Sequence, residues 1–271
     1  MGSKYPVATR PPHPLIYRVL VAALPALAVH CEALAENADA LWEIVHGQCV
    51  PDQVKNNDPA PCAYVDLRKG QAEGYAILKD RRGATQFLLI PTARVAGIES
   101  AALLAPDSPN YWNDAWQART FVLERLGHPL PRDEVGMAVN SKLSRSQNQL
   151  HIHIDCVRLD VIEALHRQQA AISMSWRTLA EPLAGHRYEA MRVAGADLNG
   201  NNPFRLLAQE GGIAAAQMGL ETLVVIGARF PDGSPGFYLL SALADPLHGY
   251  LANGEELLDH ACRVGAHNDG A

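Results

Sequence analysis

The stretch from Gln149 to Val157 reads QLHIHIDCV, and it decides the fold because apolar and polar residues alternate along it. Successive side chains of a β-strand point to opposite faces of the sheet. We therefore predict a strand on which His151, His153 and Asp155 share one face, while the leucine and isoleucines between them face a hydrophobic core. Two imidazoles and a carboxylate on one face form a candidate catalytic site.

The preceding residues predict the elements that pack around this strand. The sequence DRRG at Asp80–Gly83 is typical of a hairpin turn between two strands. A helix follows, with Ser108 or Asn110 as its N-cap and Gly127 at its end. The order strand, strand, helix, strand, strand indicates an α+β fold, an antiparallel sheet with packed helices. The predicted strands cover residues 74–79, 86–94 and 135–140, and the helix covers residues 108–127.

A similar pattern recurs later in the chain. Residues 75–95 (YAILKDRRGATQFLLIPTARV) and 223–243 (LVVIGARFPDGSPGFYLLSAL) each predict a strand, a Gly-containing polar turn and a second strand. We therefore predict two similar halves fused in one chain, a pseudo-dimer whose first half, about residues 60–160, carries the histidine strand and whose second half covers about residues 185–265. Further expectations are a polar connection over 176–200 and helices over 38–46, 202–219 and 255–264.

A polar loop, NSKLSRSQN at residues 140–148, precedes the histidine strand. Hydroxyl, amide and cationic side chains donate hydrogen bonds to phosphate oxygens. The loop therefore predicts a phosphate-binding segment, to which Arg145 adds a second cation. The candidate phosphate-binding residues are Asn140, Ser141, Lys142, Ser146 and Gln147.

Two chemistries fit the histidine strand. In the first, a histidine attacks phosphorus and forms a covalent intermediate that water then breaks, while Asp155 holds the tautomer of the imidazole. In the second, His151, His153 and Asp155 bind a metal ion, because HxHxD opens the HxHxDH pattern of metallo-β-lactamase-like hydrolases. Cys156 stands where that pattern has its last histidine, so we expect no metal and no other cofactor.

Composition and the N-terminus narrow the class of protein. The chain has 271 residues, 48% of them hydrophobic, and a net charge of −6, which argues against a general nucleic-acid binder. Residues 1–35 combine positive charges at Lys4, Arg10 and Arg18 with an apolar run over residues 19–29. This pattern predicts a signal peptide or a membrane anchor, with export to the periplasm or the periplasmic face of the bacterial inner membrane, and a catalytic domain over residues 36–271.

Export permits disulfide bonds. Cys49, Cys62, Cys156 and Cys262 follow the predicted leader, and four cysteines allow three pairings among which the sequence does not choose. We favour Cys49–Cys62 with Cys156–Cys262, because the first pair closes a short polar loop and leaves the other two cysteines as partners.

The strand order that ends in HIHID resembles the histidine triad (HIT) superfamily, whose motif is His-φ-His-φ-His-φ-φ with the middle histidine as nucleophile. A glutamine commonly stands four residues before the first histidine of that motif. Gln147 stands four residues before His151, and this register implies that His153 is the nucleophile. The alternative register, counted from Gln149, implies His151. Asp155 departs from the motif at the third histidine.

Most of residues 38–260 resembles the family of bacterial CDP-diacylglycerol pyrophosphatases. The segments that carry the resemblance are CVPDQ, NNDPAPCAYV, GYAILKDRRGATQFLLIPTARVAGIES, DAWQARTFV, NSKLSRSQNQLHIHIDCVRLDV and GHRYEAMRV. The resemblance implies hydrolysis of CDP-diacylglycerol to CMP and phosphatidate at a membrane surface, by a monomer with internal pseudo-symmetry. A nucleotidyl transferase, and a binding protein with an inactive triad, are the alternatives.

Overall fold

The computed structural model describes residues 1–2 and 37–264. The chain divides into two units, Met1–Ala35 and Glu36–Ala271. The predicted signal or anchor segment lies outside the described residues apart from its first two positions. Within the described ranges no helix is both long and apolar enough to cross a bilayer.

The second unit is built on one antiparallel sheet of nine strands, which confirms the α+β class and the antiparallel pairing. The spatial order is β1-β2-β3-β5-β4-β8-β9-β7-β6, so β5, the histidine strand, lies between β3 and β4. The strands are β1 Tyr64–Asp66, β2 Tyr75–Lys79, β3 Phe87–Pro91, β4 Val135–Val139, β5 Ile152–Cys156, β6 Arg177–Thr178, β7 Glu189–Ala194, β8 Glu221–Arg229 and β9 Pro235–Leu243.

Across residues 37–264, five α-helices accompany the sheet. The long helix α3 begins after Asn110, whose side chain accepts a hydrogen bond from the Asn113 N–H, and it ends at Gly127, whose φ is +90°. Gly127 is the predicted end, and Asn110 is one of the two predicted N-caps, so the helix begins after residue 110 rather than at 108. An asparagine cap and a left-handed glycine satisfy the terminal backbone groups. The helices are α1 Ala40–Ile44, α2 Val50–Asn56, α3 Tyr111–Leu126, α4 Leu159–Gln168 and α5 Pro203–Glu210.

The two faces of β5 differ as the alternation predicts. On one face Ile154 pairs across the sheet with Phe87, and Phe87 contacts Phe121 of α3 at 5.6 Å between ring centroids. On the other face His153 pairs with Leu88 of β3 and Ala138 of β4. Directly opposed residues of antiparallel strands share a face. Helix α3 therefore covers the isoleucine face, and the histidines face away from it.

Both favoured disulfides are confirmed. Cys49 bonds to Cys62, and Cys156 bonds to Cys262. The second bond joins the end of β5 to a C-terminal segment, residues 253–264, that crosses the histidine face. Gly254 of this segment lies so close to β8 that a Cβ there would be 2.9 Å from the Val224 side chain.

Four sequence expectations are wrong in detail. The residues after Cys49 are helical rather than a loop, and a π-helical turn, Val45–Cys49, precedes Pro51, which has no N–H to donate. The predicted connection over 176–200 contains strands β6 and β7. The predicted helix over 202–219 ends at Glu210. The sequence analysis also places no helix at α4.

The predicted helix over 255–264 is likewise absent, and a single 3-10 turn, Gly254–Leu257, stands at its start. The backbone of this segment makes isolated turns and also bonds to β5 and to the residue that follows Val157. Asp259 N–H donates to the Cys156 carbonyl at 2.8 Å, and Arg158 N–H donates to the Leu257 carbonyl at 3.0 Å.

Candidate active site

His153 lies at the centre of the candidate site, in the middle of the sheet and 4% exposed. Its Nδ1 atom is 3.1 Å from Glu255 Oε1 and 2.9 Å from Gln86 Nε2. Its Nε2 atom is buried and has no hydrogen-bond partner among the described residues. Burial lowers the pKa of His153 to about 4, although the Glu255 carboxylate opposes the shift. The ring is therefore neutral at pH 7.

His151 precedes the first residue of β5 and is also buried. Its Nδ1–H donates to the Gln149 carbonyl at 2.7 Å, which leaves the lone pair on Nε2. The His151 ring packs edge-on against the His153 ring, with 4.8 Å between centroids. Burial lowers the pKa of His151. The structure thus brings the two histidines together, as the alternation predicts.

Asp155 is fully buried, and both of its carboxylate oxygens have partners. Thr85 Oγ1 donates to Oδ1 at 2.6 Å, and His260 Nδ1 lies 3.1 Å from Oδ2. The hydrogen bond that His260 donates to Asp155 raises the pKa of His260. The structure therefore pairs Asp155 with a histidine from the C-terminal segment, whereas the carboxylate at His153 Nδ1 comes from Glu255. The reason is spacing, because residues two apart on a strand lie about 7 Å apart.

Glu255 contacts three other members of the polar cluster around His153, namely His153 itself, Asn140 and Gln86. Its Oε2 accepts from Asn140 Nδ2 at 2.7 Å, and its Oε1 lies 3.3 Å from Gln86 Nε2. Gln86 also donates to Asp80 at 2.7 Å. Burial would raise the pKa of Glu255, but His153 and the Asn140 donor outweigh burial and lower that pKa. Glu255 is therefore ionised at neutral pH.

The polar loop before β5 is held mainly by the protein itself. The Asn140 amide contacts Glu255, and the Ser141 hydroxyl donates to the Leu251 carbonyl at 2.5 Å. Lys142 and Ser146 are exposed. These two side chains are free to meet a ligand from solvent.

The remaining residues of the loop hold other elements in place. The Arg145 guanidinium, 6% exposed, binds both oxygens of Glu99 at 2.5 and 2.7 Å. Gln147 accepts from the Leu41 N–H at 3.0 Å and donates to the Asn37 carbonyl at 2.9 Å. Arg145 is thus already neutralised by a carboxylate, and Gln147 connects the loop to the start of α1.

Comparison with known proteins identifies the family. The family model described as CDP-diacylglycerol pyrophosphatase matches residues 36–266. This chain belongs to the CDP-diacylglycerol pyrophosphatase family. It is 43% identical to the CDP-diacylglycerol pyrophosphatase of Yersinia pestis over 231 residues, which cover 85% of this chain and 86% of that relative. The match spans β5 and the C-terminal segment, so the family model includes the whole cluster around His153.

The HxHxD pattern of β5 also allows a metal site, for which three side chains would have to converge on one ion. Across residues 37–264, no group of three or more His, Cys, Asp or Glu side chains is arranged to hold a metal ion. The carboxylate of the motif, Asp155, instead binds Thr85 and His260.

Sequence reasoning missed four residues of the cluster, namely Asp80, Gln86, Glu255 and His260. They come from the β2–β3 turn and the C-terminal segment, far from β5 in sequence. The sequence does contain a signal for His260. Asp155 directly precedes Cys156, and His260 stands two residues before Cys262. The favoured disulfide Cys156–Cys262 therefore implies that these two side chains are close.

Proposed function

We propose that this chain hydrolyses the diphosphate bond of CDP-diacylglycerol to CMP and phosphatidate, through a nucleotidyl intermediate on His153. The family and the name of the Yersinia pestis relative support the substrate. One observation supports His153 as the nucleophile: its Nδ1 is engaged by Glu255, while its Nε2 is buried and has no hydrogen-bond partner in the part of the chain that the structure describes. A neutral imidazole whose proton is on Nδ1 presents a lone pair at Nε2.

In the first step, His153 Nε2 attacks the phosphorus that carries the cytidine. A P–N bond forms, the P–O bond to the lipid phosphate breaks, and its electron pair leaves with phosphatidate. The ring now carries positive charge, because Nε2 has given its lone pair to phosphorus and Nδ1 keeps its proton. The Glu255 carboxylate, 3.1 Å from Nδ1, stabilises that charge.

In the second step, water attacks the same phosphorus. The P–N bond breaks, its electron pair returns to Nε2, and the protons lost by water pass to solvent and to CMP. Lys142 and Ser146 are exposed polar residues of the loop and are proposed to contact phosphate oxygens. His151 packs against His153 and limits its rotation, which keeps Nε2 in line for attack.

Attack on the cytidine phosphorus is favoured over attack on the lipid phosphorus. The first expels phosphatidate as a dianion and leaves only CMP on the enzyme. The second places the bulky diacylglycerol phosphate on a histidine that is 4% exposed and lies in the middle of the sheet.

The HIT-like fold and the fused pseudo-dimer are part of this proposal, and the strand order supports them. Each half has two strands, a helix and two more strands in chain order, and in each half the last two strands exchange places in the sheet. The spatial order is β2-β3-β5-β4 in the first half and β6-β7-β9-β8 in the second, with α3 and α5 as the helices. The two sets meet where β4 pairs antiparallel with β8. Strand β9 carries Tyr238, Leu240 and Ala242 on the histidine face, so the second half has no such site. A monomer then contains both halves.

A lipid substrate also requires contact with a membrane surface. Exposed leucines lie on adjacent loops at the end of the sheet where β4 ends and β5 begins. The Lys142 N–H donates to the Gly219 carbonyl, and the Ala244 N–H donates to the Leu220 carbonyl, which joins these loops. Leu247 is 94% exposed. We propose that this apolar rim, next to the site, meets the bilayer; its residues are Leu143, Leu220, Leu243, Leu247 and Leu251.

Export through residues 1–35 to the periplasm, or to the periplasmic face of the inner membrane, completes the proposal. Two disulfides in the second unit support it, because such bonds persist in oxidising compartments.

The test uses purified protein and CDP-diacylglycerol in mixed micelles. We expect His153→Ala to abolish CMP release while its circular dichroism is unchanged, and His248→Ala, an exposed histidine, to behave like the wild type. Alkaline quenching of a single turnover should trap a nucleotidyl adduct on His153. In H₂¹⁸O the label should enter CMP. Turnover by His153→Ala refutes the nucleophile, and label in phosphatidate refutes attack on the cytidine phosphorus.

A further inference from the structure

We propose that Glu255 and His260, both supplied by the C-terminal segment, are positioning residues for His153 and together replace the missing third histidine of the triad. This inference rests on the proposed function, since it assigns roles within the same site. The juxtaposition that carries it is a chain of four side chains in which each member contacts the next: His153, Glu255, His260 and Asp155. His153 and Asp155 at its ends are buried, and the His260 side chain is 36% exposed.

The C-terminal segment is held against β5 by several bonds. The Asp259 N–H donates to the Cys156 carbonyl at 2.8 Å, and the Ala84 N–H donates to the His260 carbonyl at 3.0 Å. The disulfide from Cys156 to Cys262 adds a covalent link two residues beyond His260. The segment is therefore fixed at the backbone, so its side chains reach the site with little freedom.

Glu255 decides the tautomer of His153. Gln86 Nε2 carries two hydrogens and donates them to Asp80 at 2.7 Å and to Glu255 at 3.3 Å. The proton on His153 Nδ1 is therefore accepted by the Glu255 carboxylate at 3.1 Å, and the lone pair is on Nε2, which has no hydrogen-bond partner among residues 37–264. Without the negative charge, the proton has no comparable preference for Nδ1. The positive charge that develops on the ring during attack would also lose its counter-ion in a buried site, where charges interact strongly.

His260 holds Glu255 in place and balances charge. Its Nδ1 lies 3.1 Å from Asp155 Oδ2, and its Nε2 lies 3.7 Å from Glu255 Oε1. Two carboxylates near one another repel, and the ring N–H that His260 donates to Asp155 reduces that repulsion. His260 thus occupies the position between Asp155 and Glu255 from which it keeps the Glu255 carboxylate directed at His153.

The experiment compares Glu255→Gln and His260→Asn with the wild type and with Glu256→Gln as the matched control. Glu256 is the next residue, but its carboxylate binds Tyr188 at 2.9 Å and Tyr250 at 3.3 Å, not His153. We expect Glu255→Gln to lower kcat about 10²- to 10⁴-fold, as removal of the orienting carboxylate does in other histidine-dependent sites, with KM changed less than about threefold. We expect His260→Asn to lower kcat about 10-fold or more, and Glu256→Gln to leave it unchanged.

A spectroscopic readout separates positioning from general stability. The ¹⁵N chemical shifts of the His153 ring should report a proton on Nδ1 in the wild type and in Glu256→Gln, and a shift of the proton toward Nε2 in Glu255→Gln. The folded state of each variant is checked by urea unfolding.

The outcomes for the inference and for the proposed function are distinct. If His153→Ala is inactive but Glu255→Gln keeps kcat within threefold and the same tautomer, the positioning role is refuted while the nucleophile stands. If His153→Ala is active, the proposed function itself fails. An unchanged kcat in His260→Asn removes His260 from the inference.

Discussion

Replacing Cys156 and Cys262 together by serine removes the covalent link between β5 and the C-terminal segment. Asp155 and His260 stand one and two residues from these cysteines, and they contact each other at 3.1 Å. We therefore expect this double variant to lose both stability and turnover per folded molecule. The matched control removes the other disulfide, Cys49–Cys62, which belongs to a smaller apolar cluster under α1 and α2.

The sizes of the two stability losses follow from loop closure. The bond Cys156–Cys262 spans 106 residues, and the bond Cys49–Cys62 spans 13 residues. A crosslink stabilises the folded protein because it lowers the conformational entropy of the unfolded chain, and it does so more for a longer loop. At 25 °C the expected stabilisation is about 4.8 kcal/mol for Cys156–Cys262 and about 2.9 kcal/mol for Cys49–Cys62. The site adds a separate effect, because a misplacement of about 1 Å in a catalytic group can lower turnover about 10²-fold.

The assay measures urea unfolding by circular dichroism and kcat in the same buffer, with kcat expressed per folded molecule. We expect the Cys156→Ser/Cys262→Ser protein to unfold about 5 kcal/mol more easily and to lose at least about 10-fold in kcat. The Cys49→Ser/Cys62→Ser protein should lose about 3 kcal/mol and keep its kcat. Equal kcat values per folded molecule in the two proteins would refute the link between this disulfide and the site.

Three further outcomes are expected. Glu99→Ala should lower the free energy of unfolding by about 3 kcal/mol in urea titrations, because it leaves the buried Arg145 cation unpaired; a change near zero would contradict this. The free energy of unfolding of the wild type should fall as pH decreases from about 6.5 to about 4, because burial lowers the pKa of His153 to about 4 and the unfolded chain therefore binds the proton first. His153→Gln should weaken this dependence of stability on pH, and an unchanged dependence would contradict the pKa shift of His153. EDTA should leave turnover unchanged, because a histidine nucleophile needs no metal to attack phosphorus, and inactivation reversed by Zn²⁺ would favour the metal alternative.

Local patterns predict much of the first half of the fold. Helix α3 could be placed with both ends, because Asn110 and Gly127 satisfy backbone groups that the helix itself leaves unpaired. The hairpin from β2 to β3 follows from the turn residues at Asp80–Gly83. Helix α4 could also have been predicted, because Val161 and Leu165 recur at helical spacing on its buried side.

The second half was harder because tertiary contacts override local preference there. Residues 255–264 have the composition of a helix, yet their backbone bonds to β5, and the disulfide from Cys262 holds them in that position. Strands β6 and β7 are in a polar, glycine-containing stretch; β7 pairs with β9, and β6 pairs with β7. These contacts are made with residues that are distant in sequence, so a short stretch of sequence does not predict the structure that they stabilise.

By itself the sequence determined that His151 and His153 share one face of a strand, because alternation along β5 depends only on backbone geometry. Only the tertiary structure decided which groups face the two nitrogens of His153. Glu255 reaches Nδ1 from about a hundred residues away, and Asp155, two residues along the same strand, turns to His260 instead. The reason is that a strand spreads its own neighbours about 7 Å apart, whereas a segment that crosses the sheet can place a side chain within hydrogen-bonding distance.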